Sequence, residues 1–216
     1  SENTKKDIIQ IHGFKDQDIE VIYHGCSLNY SENEADLNLP DRYILFVGKR
    51  DGYKNFHTLL NAFKNIQKEY NNMYLVCVGG GCFSEEENAQ IQELEISDKT
   101  FQVNPTDQSI PVFYDQAEIF VYPSLYEGFG IPILEAFKFN CPVICSNSSC
   151  FPEVAKDSAI YFDAASIEEL TIQLRRLLES DELKEELIRK GNIRLQDFSW
   201  QKATIKTLNI YKELKK

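Results

Sequence analysis

The chain has 216 residues, of which 43% are hydrophobic, enough to bury a sizeable core in one domain. Its formal net charge of −11 argues against general binding to nucleic acid or to anionic lipid. We expect neither a transmembrane segment nor a secretory signal, because no apolar run approaches the roughly 20 residues of a membrane span. An anionic ligand would have to be held by a local cluster of basic residues.

Six cysteines are spread along the chain without a paired C-x-x-C spacing: Cys26, Cys77, Cys82, Cys141, Cys145 and Cys150. Several lie in strand-like apolar runs, where a reduced cysteine acts as a small hydrophobic residue. Only three histidines are present, and none lies near a cysteine pair, which argues against a zinc site. The sequence therefore predicts reduced thiols, no bound metal and a cytoplasmic location.

The first part of the chain predicts a helix, a short strand and a loop. The helix opens the chain, with Ser1 or Asn3 as its N-cap. Alternating apolar residues predict a strand over 18–24, which Gly25 ends. Residues 26–41 are polar and lack periodicity, so we interpret them as a linker or surface loop.

From residue 43 onward, apolar strands alternate with amphipathic helices. Strands are predicted over 43–47, 73–78, 101–103, 118–121, 142–145 and 159–162, and helices over 56–70, 84–95 and 109–116 and from residues 167, 183 and 200. This alternation indicates an α/β fold, a Rossmann-like parallel sheet with helices on both faces. Because ligands bind at the carboxyl ends of such strands, the glycine-containing segments after Val47, Val78 and Val121 should line one edge.

The most informative segment is the strand-to-helix junction at residues 122–135, Tyr-Pro-Ser-Leu-Tyr-Glu-Gly-Phe-Gly-Ile-Pro-Ile-Leu-Glu. Gly128 and Gly130 permit backbone conformations closed to other residues and let a ligand approach the main chain. Pro132 suits the first turn of a helix, where its missing N–H costs nothing. Free N–H groups at a helix start attract an anion, so the junction predicts a binding site for an anionic group.

Two carboxylates, Glu127 and Glu135, bracket this junction. The flanks of Glu135 are apolar, and a carboxylate there is costly unless a partner satisfies it. A ribose cis-diol could donate two hydrogen bonds to it, while Glu127 would meet another part of the ligand. Paired carboxylates are also typical of glycoside hydrolases. A hydrolase of neutral sugars, however, has no use for the glycine junction or for nearby cations.

Basic residues follow the first predicted strand in the segment 48–55, Gly-Lys-Arg-Asp-Gly-Tyr-Lys-Asn. Lys49, Arg50 and Lys54 could clamp a diphosphate, since their side chains donate charge-assisted hydrogen bonds to phosphate oxygens. A solvated basic turn is the alternative, and the position at a strand carboxyl end favours the clamp. The glycine run at 79–81 is a weaker signal, equally compatible with a flexible turn.

Together these motifs resemble the carboxyl-terminal half of retaining glycosyltransferases of the GT-B fold, glycosyltransferase family four (group 1). The resemblance is carried by the segments at 48–55, 122–136, 141–144 (Cys-Pro-Val-Ile) and 151–154 (Phe-Pro-Glu-Val), and by Phe198-Ser-Trp200. Glu127 and Glu135, with seven residues between them, match the family's E-x(7)-E motif. The resemblance extends over nearly the whole chain from Val21.

The resemblance implies that this half binds a nucleotide-sugar donor such as a GDP- or UDP-sugar, with no cofactor or metal. Glu127 would be the catalytic group that contacts the transferred sugar, and Glu135 would hold the ribose. Lys54, with Lys49 or Arg50, would neutralise the diphosphate. The remaining donor contacts would be made mainly by backbone at the loop and strand ends, at Gly80, Val103, Gly128, Phe129, Gly130 and Ile131.

The resemblance also implies that a second, acceptor-binding domain is missing. Residues 1–24 would be the tail of that amino-terminal domain or a linker, and 25–216 the donor-binding domain, with a last helix near 199–214. The full enzyme would transfer a hexose to a glycan or lipid-linked acceptor, and this chain alone would be inactive. Any attachment to the cytoplasmic membrane face would go through the missing domain. The alternative is a sugar-nucleotide epimerase or a non-catalytic sugar-nucleotide-binding module of related fold; base, sugar, acceptor and oligomeric state stay open.

Overall fold

The computed structural model describes residues 1–29 and 37–215. The predicted loop at 26–41 therefore falls in part on residues 30–36, which lie outside the described residues. The helix predicted at the start of the chain is confirmed as α1 (Glu2–His12), with the Ser1 hydroxyl accepting from the N–H of Thr4 as its N-cap.

A six-stranded parallel sheet forms the centre of the molecule, in the order β3-β2-β1-β4-β5-β6. The strands are β1 (Tyr43–Val47), β2 (Tyr74–Val78), β3 (Thr100–Val103), β4 (Ile119–Tyr122), β5 (Val143–Ser146) and β6 (Ile160–Phe162). Each of them overlaps a strand that the apolar runs predict. The predicted α/β, Rossmann-like parallel sheet is thus confirmed.

Helices cover both faces of this sheet: α2 (Phe56–Gln67), α3 (Glu85–Glu93), α4 (Ile110–Asp115), α5 (Ile131–Lys138), α6 (Phe151–Ala155), α7 (Ile167–Leu178), α8 (Asp181–Leu195) and α9 (Trp200–Leu214). Tyr43 and Leu45 of β1 share one core with α4, α5 and α6. Ile44 and Phe46 share the other core with α2, α3 and α7. Because both faces of β1 are buried, its sequence is a continuous apolar run, and each such side chain contributes about 1.5–3 kcal/mol.

The predicted strand at 18–24 is wrong. This segment pairs with no strand and instead runs past the start of α9, where a Cβ on Gly25 would lie 2.4 Å from the amide nitrogen of Trp200. Tyr23 packs its ring against Phe129 and Phe198, with centroids 5.7 and 5.6 Å away. The alternation of apolar residues therefore reflects side-chain docking onto the domain rather than pairing in the sheet.

Helix α6 was not predicted, because five residues with a proline in the first turn show no helical period. Its residues Phe151 and Val154 are fully buried and close the core beneath the junction that precedes α5. The cysteines predicted to serve as small hydrophobic residues do so: Cys77 and Cys145 lie in β2 and β5 with no exposed surface. All six cysteines are free thiols.

Candidate functional site

The loops that follow β1 and β4 meet at the carboxyl edge of the sheet. These two strands are neighbours, but the chain leaves β1 toward β2 and leaves β4 toward β5 on the opposite side. The loops therefore diverge and leave a crevice, which is where open parallel sheets bind their ligands. Lys54 lies in the first loop and Glu127 in the second.

Asn55 joins the two loops. It adopts a left-handed backbone conformation (φ 56°), and its side-chain amide donates to the carbonyl oxygen of Pro123 at 3.1 Å. The amide of Leu125 in turn donates to the carbonyl oxygen of Tyr53 at 2.8 Å. These bonds bring residue 54 beside the segment that carries Glu127.

Lys54 and Glu127 form an ion pair, with Nζ 2.6 Å from Oε1. The two side chains are only 12% and 14% exposed. The ring of Tyr122 lies beneath them, 5.4 Å from the ammonium. Burial, together with the Glu127 charge, raises the pKa of Tyr122, so that its hydroxyl stays protonated. Two largely buried charges compensate each other here, so separating them is costly unless a new partner replaces the lost one.

The backbone around Glu127 is held from two directions. Its N–H donates to Ser149 Oγ at 3.0 Å, and the thiol of Cys150 donates to its carbonyl oxygen at 3.2 Å. From α1, the hydroxyls of Ser1 and Thr4 donate to the carbonyl oxygen of Gly128, at 2.7 and 3.0 Å. Sequence reasoning missed these groups; the polar run 146–149 directly after a buried strand was the available signal.

Helix α5 begins at Ile131, as the glycine and proline spacing predicts. Its N-cap Gly130 is left-handed (φ 88°), and a Cβ there would lie 3.2 Å from the ring of Phe151. No side chain caps this helix start within the described part of the chain, and Pro132 contributes no N–H. The dipole and free N–H groups of the first turn therefore remain available to an anion.

A hollow of about 470 Å³ lies beside this helix start. It is lined by Glu127 and the residues from Gly128 to Pro132, and also by Thr4 and His24 from the first part of the chain. Another hollow, of about 510 Å³, lies between the starts of α2 and α3. Of the predicted site residues it meets Arg50 and Gly80, whereas the two carboxylates and Lys54 do not line it. Of the predicted site residues, the first hollow thus meets Glu127 and the segment from Gly128 to Ile131, with the Lys54 ammonium paired to Glu127 beside it.

Glu135 lies one turn along α5 and is held by a buried tyrosine. The hydroxyl of Tyr114 donates to its Oε2 at 2.9 Å, while Oε1 has no hydrogen bond to any described residue. Burial raises the pKa of Glu135, the bond from Tyr114 opposes that shift, and the charge of Asp107 adds to it. Burial and the neighbouring Glu135 also raise the pKa of Tyr114, which keeps it a donor. The second oxygen is left as an acceptor for a ligand.

Lys49 and Arg50, the two neighbouring cations after β1, differ in exposure and in their bonding partners. The Arg50 side chain is 3% exposed, and its Nε bonds Glu87 Oε1 at 2.9 Å. Its terminal nitrogens donate to the carbonyl oxygens of Gly79 and Gly81, each at 2.8 Å. Lys49 is exposed and pairs with no described residue. Arg50 thus holds the glycine turn together, and Lys49 is the cation of the two that is available to a ligand.

The glycine turn after β2 packs closely against the loop after β1. All three residues 79–81 have positive φ, and a Cβ on Gly80 would lie 2.8 Å from Nη1 of Arg50 and 2.9 Å from the carbonyl oxygen of Gly48. Glycine is therefore needed at this position for packing, whether or not a ligand approaches. The carbonyl of Val103 accepts from the amide of Gly79 at 2.9 Å, so Val103 lies at the same edge of the sheet.

Phe129, between the two glycines of the junction, turns its side chain into the core. It is 7% exposed and packs against Tyr23 and Phe198, with ring centroids 5.7 Å away from each. Its side chain is therefore a core residue, and its backbone is the part left for the predicted donor contact.

Neither a metal-binding group nor a membrane-spanning helix is found in residues 1–29 and 37–215. No three side chains of histidine, cysteine, aspartate or glutamate come together as metal ligands there. No helix in this range combines the length and the apolar character needed to cross a bilayer.

Comparison with known families identifies the family of this chain. The model of the group 1 glycosyl transferases matches residues 30–194, well over half of the chain. The chain therefore belongs to the group 1 glycosyl transferase family.

Curated relatives of the chain include O-antigen chain mannosyltransferases. The chain is similar to an O-antigen chain mannosyltransferase B of Escherichia coli, with 29% identity over 99% of this chain and 59% of the relative. It is also similar to the O-antigen chain mannosyltransferase RfbU of Salmonella typhimurium, with 32% identity over 74% of this chain and 44% of the relative. The chain thus spans about half the length of these relatives.

Solved structures show the same fold. The chain superposes on Anabaena HepE, determined in complex with UDP and glucose, with a TM-score of 0.82. The match covers 100% of this chain and 61% of HepE at 20% identity, so the likeness extends to the fold alone.

Proposed function

We propose that the chain binds a nucleotide-diphosphate sugar at this edge of the sheet and forms the donor-binding half of a retaining glycosyltransferase. One observation carries the proposal: the close pair of Lys54 and Glu127 lies beside the uncapped start of α5, which also carries Glu135. A cation, a helix start and two carboxylates at one crevice match a ligand with a diphosphate and several hydroxyls.

The diphosphate would lie between the lysines and the start of α5. Lys54 would exchange Glu127 for a phosphate oxygen, and the exposed Lys49 would reach the same group. The N–H groups of Gly130 and Ile131 would donate to the remaining oxygens. These donors would stabilise the diphosphate as it leaves with the electron pair of the sugar–oxygen bond, and no metal is needed for that.

The ribose would meet Glu135. Its Oε2 is occupied by Tyr114, so the free Oε1 would accept from the ribose hydroxyls. A hydrogen bond to a charged acceptor in a partly buried site contributes about 1.5–3 kcal/mol, enough to make this residue a major determinant of affinity. Backbone groups near Val103 and Gly80 would meet the base.

The transferred sugar would occupy the hollow beside Glu127, the candidate catalytic group. Breaking the bond to the diphosphate leaves positive charge on the anomeric carbon, which the Glu127 carboxylate would stabilise. The acceptor hydroxyl would then bond to the same face of that carbon, with retention, and pass its proton to the departing diphosphate oxygen. The names of the curated relatives put mannose first among the candidate sugars.

Transfer would need more than this chain. We propose that residues 25–216 form the donor domain and that 1–24 belong to an acceptor-binding part, or to the linker that leads to it. Support comes from the share of the relatives that the chain spans, and from Thr4 and His24, which line the hollow from outside the sheet. The chain alone would bind donor without transferring sugar.

Isothermal titration with GDP, UDP, GDP-mannose and UDP-glucose tests this function. We expect one nucleotide to bind in the presence of a metal chelator, and Glu135→Gln to weaken its binding. Glu93→Gln, on the exposed face of α3, is the matched control and should leave affinity unchanged. Absence of binding by every nucleotide at millimolar concentration would falsify the proposal.

A further inference from the structure

We propose that α1 is a positioning element for Glu127, which it orients through the main chain on either side of that residue. The inference rests on the proposed function, because it takes Glu127 as the group that contacts the transferred sugar. In this view the first helix sets how strongly the site prefers a sugar-bearing nucleotide over the bare nucleoside diphosphate.

One face of α1 reaches both neighbours of Glu127. The hydroxyls of Ser1 and Thr4 converge on the carbonyl oxygen of Gly128, at 2.7 and 3.0 Å. One turn further, Asp7 accepts a hydrogen bond from the hydroxyl of Tyr126. Positions 1, 4 and 7 lie on the same side of a helix, so a single docked helix makes all these contacts.

Glu153 holds the helix in this place. Its two carboxylate oxygens accept from the backbone N–H groups of Glu2 and Asn3, at 2.7 and 3.2 Å. A negative charge at a helix N-terminus interacts favourably with the helix dipole as well as with the free N–H groups. Glu153 lies on α6, just after Ser149 and Cys150, which hold Glu127 from the other side.

The attachment of α1 is polar rather than apolar. None of its residues is buried, so apolar burial does little to hold it against the domain. Each hydrogen bond of this kind contributes about 0.5–1.5 kcal/mol net, somewhat more where a charge takes part. The helix can therefore be loosened by removing single polar groups while the core of the sheet stays intact.

The consequence falls on the sugar and not on the diphosphate. The loop of Lys49 and Lys54 is held by the bond from Asn55 to Pro123 and by the packing of Gly80 against Gly48, two contacts that involve no residue of α1. If Gly128 loses its hydroxyl donors, the peptide after Glu127 is free to rotate, and the carboxylate loses its fixed direction. Affinity for a sugar nucleotide should then fall, while affinity for the nucleoside diphosphate, for which Glu127 is only a competitor at Lys54, should not fall.

Titration of the whole chain with GDP and GDP-mannose, or UDP and UDP-glucose if that pair binds, tests the idea. Thr4→Val removes the hydroxyl at nearly constant volume. We expect affinity for the sugar nucleotide to fall about 3- to 10-fold, the equivalent of one lost hydrogen bond, with the diphosphate unchanged within about twofold. Thr4→Ser should restore the wild-type ratio. Thr204→Val is the control, since among the described residues that hydroxyl bonds only the carbonyl of Trp200 within α9.

A second variant and a double-mutant cycle separate positioning from a merely structural role. Glu153→Gln should lower affinity for the sugar nucleotide as Thr4→Val does. In the Glu127→Gln background, Thr4→Val should have no further effect on that affinity, since the effects of coupled residues are not additive. An equal loss for both ligands, or an effect that persists in the Glu127→Gln background, overturns the inference.

Binding by the wild type distinguishes failure of the proposed function from failure of the positioning role alone. If it binds neither ligand, the proposed function fails and the inference fails with it. If it binds both ligands and Thr4→Val leaves their ratio unchanged, only the positioning role is lost. A wild type that binds both ligands equally well also rules out that role.

Discussion

The ammonium of Lys54 lies 2.6 Å from the carboxylate of Glu127, although 73 residues separate them in the chain. Both side chains are largely buried at the crevice, so each neutralises the other where the diphosphate is proposed to bind. A phosphate oxygen entering the crevice must compete with Glu127 for Lys54 and is repelled by the same carboxylate. Lys54 and Glu127 therefore pair with each other, and a diphosphate that binds Lys54 has to separate them.

Glu127→Gln should strengthen binding of the nucleoside diphosphate. The change removes the competitor and the repulsion but keeps the volume, and we expect a gain of about fivefold, or roughly 1 kcal/mol. The preference for the sugar nucleotide should fall at the same time, because the sugar loses its carboxylate. Titration calorimetry measures both. Glu95→Gln, in an exposed pair with Lys64, is the control, and weaker diphosphate binding by the Glu127 variant would contradict the competition.

Substitution of Lys49 should affect ligand binding, whereas substitution of Arg50 should affect stability. Lys49→Ala changes an exposed side chain, so unfolding free energy should stay within about 0.5 kcal/mol while diphosphate affinity drops about tenfold. Arg50→Ala removes the donor to Glu87 Oε1 and to the glycine-turn carbonyls, so it should cost about 3 kcal/mol or more. Urea unfolding and titration calorimetry distinguish them.

The exposed Lys68, at the end of α2, supplies the control for the Lys49 variant. If Lys49→Ala and Lys68→Ala bind the diphosphate equally well, Lys49 is a solvated basic residue and has no part in the clamp. A stable Arg50 variant that fails to bind would instead assign the ligand contact to the guanidinium.

Glu135→Gln should raise the stability of the protein at pH 7 and weaken nucleotide binding. Burial raises the pKa of Glu135 above its ordinary 4.5, so the native state binds more protons than the unfolded chain between the two values. The free energy of unfolding of the wild type therefore falls as pH rises through that window, and it stays lower above it. The glutamine variant escapes this penalty and should be the more stable protein at pH 7, with the gap closing as pH falls through that window to 4.5.

Affinity for the nucleotide should move in the opposite direction, falling about 10- to 100-fold at pH 7 as a charged acceptor is lost. Urea unfolding at pH 7 and pH 4 and calorimetry at pH 7 measure the two effects. A variant that is less stable than the wild type at pH 7 would show that the Tyr114 bond, and not burial, dominates the energy of this carboxylate.

The sequence was sufficient to predict the sheet and the junction, because both depend on local patterns. Strands buried on both faces are continuous apolar runs, as in 43–47, and the spacing of Gly130 and Pro132 marks a helix start. The sequence could not predict that Lys49 and Arg50 lie in different environments. Both are cations after a strand, and only the packing of the loop against the turn at 79–81 distinguishes them. The partners of Glu127 were equally hidden, since Thr4 lies 124 residues from Gly128.

Alanine substitutions at Gly80 and Gly81 test how tightly the loop after β1 packs against the glycine turn after β2. Both have a left-handed φ, 75° and 77°, so alanine at either position carries a similar backbone strain of about 1 kcal/mol. Only at Gly80 would the new Cβ also meet Arg50 and the backbone of Gly48; at Gly81 nothing lies within 4 Å. Gly80→Ala should therefore be less stable than Gly81→Ala by a further 1–3 kcal/mol in urea unfolding. Equal costs would mean that the loop relaxes freely.

Tyr114→Phe isolates the contribution of one buried hydroxyl to the ribose subsite. The ring packing is kept, but Oε2 of Glu135 loses its donor, and the pKa of that carboxyl should rise further. Nucleotide affinity should fall about 3- to 10-fold at pH 7, and more steeply as the solution is acidified, because the acceptor protonates. Tyr43→Phe is the matched control, since its buried hydroxyl donates to the carbonyl of Phe113 at 2.8 Å. Both variants should lose stability, about 1–3 kcal/mol each, but only Tyr114→Phe should change binding; equal effects on affinity would reduce Tyr114 to a packing residue.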